Sequence, residues 1–141
     1  MHETTRRRIA GITFAQRRGP GPTVVLLHGI GSNAGSFEPV FEALPDHVHV
    51  IAWNAPGYGG SEPVADPWPK PDDYADVLAG FLDALGVGAV YLMGHSLGAL
   101  IAEAFARRYP DRVTALVLAS AANGYGVARG GELPGKVSAR I

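Results

Sequence analysis

The sequence predicts an α/β fold, a mostly parallel sheet with helices on both faces, and three observations predict it. Strand-like apolar runs alternate with stretches of helical periodicity, two of the runs end in glycine-bearing turns that lead directly into helices, and the runs after residue 22 are continuously apolar, as strands covered on both faces must be. The 141 residues suit one domain and are short for two. With 47% apolar and 18% charged residues, the composition is that of a folded globular chain and argues against disorder.

The elements follow in order. Alternation over Arg8–Phe14 suggests a half-buried strand in a strand pair, and Gly19-Pro20-Gly21-Pro22 then breaks the chain. Thr23–Leu27 is the first strand of the sheet proper, ending at His28-Gly29-Ile30-Gly31-Ser32-Asn33-Ala34-Gly35. Ser36 is placed to cap the next helix, in which Phe37, Val40, Phe41 and Leu44 recur at helical spacing before Pro45. Val48–Trp53 reads as a strand, and the proline-laden stretch from Asn54 to Pro71 as loop, because proline lacks the amide donor. From Asp72, the residues Tyr74, Val77, Leu78, Phe81, Leu82 and Leu85 define an amphipathic helix, with Asp72, Asp73 and Asp76 near its positive end. Ala89–Met93 is a short strand, Leu97 to Pro110 brackets another amphipathic helix, and Val113–Ala119 is a final apolar strand. Residues 121–141 are glycine-rich without periodicity.

Charge and composition exclude several function classes. Residues 1–20 hold five Arg against one Glu, a local +4 in a chain of net −1, which is too narrow a basic face for a nucleic-acid partner and reads as a solvated end. Arg6-Arg7-Arg8 and the apolar residues after it superficially suggest a twin-arginine export signal, but the apolar part is short and breaks at Gln16-Arg17-Arg18. No apolar stretch approaches the roughly 18 residues of a membrane span. The chain has no cysteine, so disulfides and thiolate metal sites are excluded and a cytoplasmic location is the default expectation.

The chemistry concentrates in two strand-to-helix turns, which in such sheets open onto one crevice at the carboxyl ends of the strands. Gly94-x-Ser96-x-Gly98 is weak as a pattern in a chain with 19 glycines. Its context is specific: a short strand lies before it and an amphipathic helix after it, so Ser96 sits at the tip of a sharp bend and is the candidate nucleophile. The alternative is a serine that merely caps the helix. An attack on an acyl carbonyl needs two amide donors facing the oxyanion, and the N–H groups of Leu97 and Ile30 are the candidates, Gly29 and Gly31 allowing the backbone of Ile30 a close approach. The pattern Gly29-Ile30-Gly31-Ser32-Asn33-Ala34 also fits a dinucleotide-binding turn, but the acidic residue expected about 20 positions later falls near Trp53-Asn54, where no carboxylate stands.

From about Arg6 to Ser120 the chain resembles the N-terminal part of the α/β-hydrolases, the lipase, esterase, lactonase and C–C bond hydrolase family. The resemblance rests on Leu26-Leu27-His28-Gly29 as the oxyanion loop, Ala55-Pro56-Gly57-Tyr58-Gly59-Gly60-Ser61 as the loop after the next strand, and Gly94-His95-Ser96-Leu97-Gly98-Ala99 as the nucleophile elbow. It implies an incomplete α/β-hydrolase fold, with 1–120 as the N-terminal part of the core and 121–141 as the start of a cap or linker, poorly ordered. It also implies a small acyl substrate such as an ester or lactone, and no metal or organic cofactor.

Two departures stand out. Asn54 replaces an aspartate common in the family, and no histidine follows His95, whereas the family places its acid and then its histidine after the serine. Among the five histidines, His2 lies at a terminus, His47 and His49 enter their strand far from the crevice, and His95 points away from Ser96. His28 is close, and either fixes the oxyanion loop or acts as base. The apolar strand Val113–Ala119 has no later strand to cover it, so pairing with another chain is expected, and a non-catalytic binding or assembly module is the alternative function.

Overall fold

The arginine-bearing N-terminal segment folds back on itself at Ala10-Gly11, where φ is 53° and 78°. The hairpin joins β1 (Thr4–Ile9) to β2 (Ile12–Arg17). The expected strand over Arg8–Phe14 thus runs across a turn. Ala10 carries no turn signature of its own, and a two-residue bend of positive φ is the one that matches the twist of paired strands. The computed structural model describes residues 3–120, so His2 and the expected cap or linker over 121–141 lie outside the described residues.

Four parallel strands continue the sheet: β3 (Thr23–Leu27), β4 (His49–Trp53), β5 (Val90–His95) and β6 (Val113–Ala119). The order is β1-β2-β4-β3-β5-β6, with β2 antiparallel to β4. The helices are α1 (Glu38–Ala43), α2 (Pro71–Ala84) and α3 (Leu97–Arg108). Alternate strand residues serve opposite faces. Leu26, Val50 and Ala52 pack with Phe37 and Phe41 beside α1, whereas Val25, Leu27, Ile51, Trp53 and Leu92 pack with Leu78, Phe81, Ile101 and Phe105 of α2 and α3. Continuous apolar runs in β3 and β4 are the consequence of being covered on both sides.

The start of α1 differs from expectation. A 3₁₀ turn over Ala34–Phe37 precedes it, and Asn33, not Ser36, is the cap: its Oδ1 accepts the Gly35 N–H at 2.8 Å, while the Ser36 hydroxyl donates to the Asn33 carbonyl at 2.9 Å. At its other end the helix meets Arg17, which is 5% exposed and donates to the carbonyls of Phe41, Leu44, Pro45 and Val48. The reading of the N-terminal arginines as a solvated end therefore fails for Arg17. Helix-end carbonyls carry partial negative charge and lack intrahelical donors, so both terminal nitrogens of the guanidinium are engaged there without a carboxylate, while its buried Nε has no partner among the described residues.

On the opposite face α2 and α3 are tied at their polar ends. Arg108 forks onto Asp76 with two bonds of 2.9 Å, and the Tyr109 hydroxyl donates to the same carboxylate at 2.6 Å. The tyrosine bond, with help from Arg108, holds the Asp76 carboxyl below the usual carboxylate range. These groups are solvent-facing and such pairs contribute little, so buried apolar contact is what holds the two helices together.

The two ends of the sheet differ. β1 is exposed and polar, its Arg6-Arg7-Arg8 facing water. Among the described residues β6 is the last strand, and Leu116, Val117 and Leu118 are 37%, 54% and 40% exposed. No described helix is long and apolar enough to cross a membrane.

Candidate active site

The topology brings the two glycine-bearing turns side by side. From β3 the chain leaves toward β4, and from β5 it leaves toward β6, so the adjacent carboxyl ends of β3 and β5 form the switch point where such sheets bind ligands. Leu27 is in register with Gly94, which sets Gly29 alongside Ser96 two residues further on. A Cβ added to Gly29 would lie 3.0 Å from the Ser96 Cβ and 3.3 Å from the His95 carbonyl oxygen. A side chain here would have to push the bend away by a few tenths of an ångström, so glycine lets the loop run against it.

The bend after β5 is strained at one residue. Ser96 has φ 56° and ψ −116°, a conformation that L-residues with side chains rarely adopt and that costs on the order of 1–3 kcal/mol. It makes no side-chain cap to α3, which removes the reading of Ser96 as a simple capping serine. The strain is held from both sides. The Ser96 N–H donates to the Ala119 carbonyl of β6 at 3.0 Å, and its own carbonyl accepts the Ala99 N–H at 2.9 Å.

Gly94 and Gly98 make the bend sterically possible. A Cβ on Gly94 would fall 2.1 Å from the Gly98 oxygen, and one on Gly98 would fall 2.1 Å from the Leu27 oxygen. Strand, helix start and neighbouring strand are therefore in backbone contact. The N–H of Leu97, first residue of α3, and that of Ile30, which is 43% exposed, have no hydrogen-bond acceptor among the described residues. The helix start adds partial positive charge at the same place. A strained residue carrying a hydroxyl next to the unbonded first amide of a helix is an arrangement that can attack a carbonyl and stabilise negative charge.

His28 settles into one of its two expected roles. It is 1% exposed; its Nδ1–H donates to the Gly29 carbonyl at 2.8 Å, and its Nε2 accepts the Ala55 N–H at 3.0 Å. Burial pushes its pKa below the ordinary histidine value, against a smaller opposing effect of the Gly29 bond, so the neutral tautomer fits both partners. With both nitrogens engaged, His28 cannot serve as base to Ser96, and it clamps the turn after β3 to the loop after β4. Tyr58 packs edge-on against it, ring centres 5.0 Å apart. His95 is exposed, and His47 and His49 sit at the β4 end remote from Asn54.

Sequence reasoning marked Asn54 as a departure but did not give its hydrogen-bond partners. Its Oδ1 accepts the Ala34 N–H and its Nδ2 donates to the Thr13 hydroxyl, both at 2.8 Å, and that hydroxyl donates to the Gly59 carbonyl at 2.8 Å. Asn54 thus joins β2, the turn after β3 and the loop over 55–61. An aspartate in its place would have to receive the Thr13 proton now directed to Gly59. These partners lie 20 and 41 positions away, so no local pattern points to them. Among the described residues, no group of three or more His, Cys, Asp or Glu is gathered that could hold a metal.

Comparison with known proteins adds an independent line. A family model described as alpha/beta hydrolase fold matches residues 22–135. The chain is 39% identical over 110 residues to 2-(acetamidomethylene)succinate hydrolase of Mesorhizobium japonicum, covering 77% of this chain and 39% of that protein. It is 40% identical over 101 residues to the poly(3-hydroxyalkanoate) depolymerase of Ectopseudomonas oleovorans, covering 72% of this chain and 35% of that one. Among solved structures, an esterase of Mycobacterium tuberculosis superposes with a TM-score of 0.73 at 34% identity, over 84% of this chain and 41% of that one. The chain spans roughly two-fifths of the length of the relatives it matches.

Proposed function

Because the chain belongs to the alpha/beta hydrolase fold family, we propose that it is the nucleophile-bearing part of a serine hydrolase acting on an ester, lactone or similar acyl substrate. Ser96 attacks the carbonyl, the Leu97 and Ile30 amides hold the oxyanion, and water releases the acyl group. The observation that carries this reading is the left-handed Ser96, strained and uncapping at the bend with Gly29 alongside. The names of the relatives, a succinate-type hydrolase, a polyester depolymerase and an esterase, support acyl substrates. No metal or organic cofactor enters this chemistry, and a cytoplasmic setting fits a chain with no cysteine.

The reading requires an acid and a histidine from sequence beyond these 141 residues, since no histidine follows His95 and both nitrogens of His28 are occupied. The chain alone should therefore hydrolyse p-nitrophenyl acetate at close to the buffer rate. A polypeptide that continues past Ile141 with a downstream acid and late histidine should be active, and Ser96→Ala should cost it roughly 10⁴–10⁶ in kcat. Rapid hydrolysis by the 141-residue chain itself would refute the missing base.

A second reading, a non-catalytic assembly module, is favoured by one observation: the exposed apolar β6, which can pair with another chain. A stop codon directly after Ile141 favours the module; an open frame carrying the acid and histidine favours the enzyme.

A further inference from the structure

The N-terminal hairpin forms one wall of a cleft that the hydrolase reading does not use. Arg6 and Arg8, two positions apart on β1, share a face with Ala15 and Thr13 of β2. Between this face and the turn over residues 32–35 lies an open cleft of about 680 Å³, with Asn54 and Gly59 at its inner end. None of residues 28–30 or 94–98 lines it, so it is distinct from the Ser96 bend.

Its charge is one-sided. Arg6, Arg7 and Arg8 line it and no carboxylate does. Arg8 is partly committed, donating to the Gly60 carbonyl at 2.7 Å and pairing with Glu62 at 3.4 Å. Arg6 makes no hydrogen bond or ion pair among the described residues, whereas Arg7, paired with Phe14, projects from the other face of the hairpin. Asn54, which also lines it, is uncharged and held by neutral bonds to Ala34 and Thr13, where an aspartate would reduce the positive field. The adjoining cleft of about 490 Å³ shares Arg6 and is lined also by Arg17, Glu38, Glu42 and Asp46, which makes it less favourable to an anion.

We propose that this cleft binds a small polyanion, a molecule carrying phosphate or clustered carboxylates, with Arg6 as its principal contact. Guanidinium groups donate in a planar fork that matches both oxyanion types, and the Asn33 side-chain amide offers a further donor. The site goes beyond acyl transfer and does not depend on it.

Isothermal titration of the full chain with inorganic pyrophosphate and, separately, with citrate tests the assignment. Saturable one-to-one binding of either probe is expected, weakened about tenfold or more by Arg6→Ala and less than twofold by Arg107→Ala, a control that removes the same charge from the end of α3. The probe that binds more tightly identifies the ligand as phosphate-like or carboxylate-like. Absence of saturable binding by both probes, or equal weakening by the two substitutions, would overturn the proposal, the latter because it marks diffuse electrostatics. Arg6→Gln, which keeps the first three side-chain carbons and a polar end without the charge, covers the case in which Arg6→Ala loses its native circular dichroism. Turnover plays no part in the measurement, so its failure leaves the hydrolase reading untouched.

Discussion

The turn after β3 and the turn after β5 lie in contact and both rely on glycine, but for opposite reasons. At Gly31 the dihedral is the constraint: φ is +73° and an added Cβ would meet nothing within 4 Å. At Gly94 and Gly98 the constraint is space, with backbone oxygens 2.1 Å from an added Cβ. The left-handed residue of the second turn is instead Ser96, which has a side chain. In the first turn glycine thus supplies conformational freedom at Gly31 and close approach at Gly29, in the second only the absence of a side chain, while the strain there is carried by the serine.

Substitutions sharpen or break this contrast, and the largest effect belongs to the crowded turn. Gly98→Ala should destabilise by more than about 3 kcal/mol, because a Cβ against the Leu27 carbonyl must separate α3 from β3. Urea unfolding followed by circular dichroism measures this, and a loss under 1 kcal/mol would show that the contact relaxes easily. His28→Ala should come next at about 2–4 kcal/mol, since it leaves the Ala55 N–H and the Gly29 carbonyl without their buried partner.

The same histidine gives a pH dependence of definite sign. Its folded pKa is lowered by burial, so the unfolded chain takes up the proton more readily. Its contribution is fully present above the ordinary histidine value of about 6.5 and is lost as pH falls below that toward the folded pKa. Urea midpoints measured between pH 8 and pH 5 should fall in the wild-type chain and fall less in His28→Gln; parallel curves would count against the clamp.

Gly31→Ala should cost only about 1 kcal/mol, the penalty of a Cβ at positive φ with room to spare. The smallest effect carries the opposite sign. Ser96→Gly should stabilise by up to about 1 kcal/mol, as relief of strain outweighs the extra unfolded-state entropy of glycine. A lowered melting temperature in that variant would contradict the assignment of strain to residue 96.

What was legible in the sequence followed from local pattern. The runs Thr23–Leu27 and Val113–Ala119 are strands with the expected bounds, because burial on a sheet selects consecutive apolar residues. The bend at Ser96 was readable because its two glycines are fixed by contacts within a five-residue stretch and the neighbouring strand. Features set by distant partners were hidden. Arg17 reads as one of a solvated group, yet the carbonyls that bury it lie 24 to 31 positions away. His28 shows its double engagement only once Ala55, 27 positions on, is placed beside it. The cap at Asn33 lost to Ser36 in the sequence because a 3₁₀ turn leaves no apolar period of its own.

The unlike ends of the sheet also set how copies of this chain could meet. We propose that, if two copies meet through β6, the same segment is used on both and the contact is two-fold. The opposite border, β1, presents arginine to arginine and refuses its own image. A pairing of β6 with β1 of another copy would by contrast leave one free border at each end and could repeat.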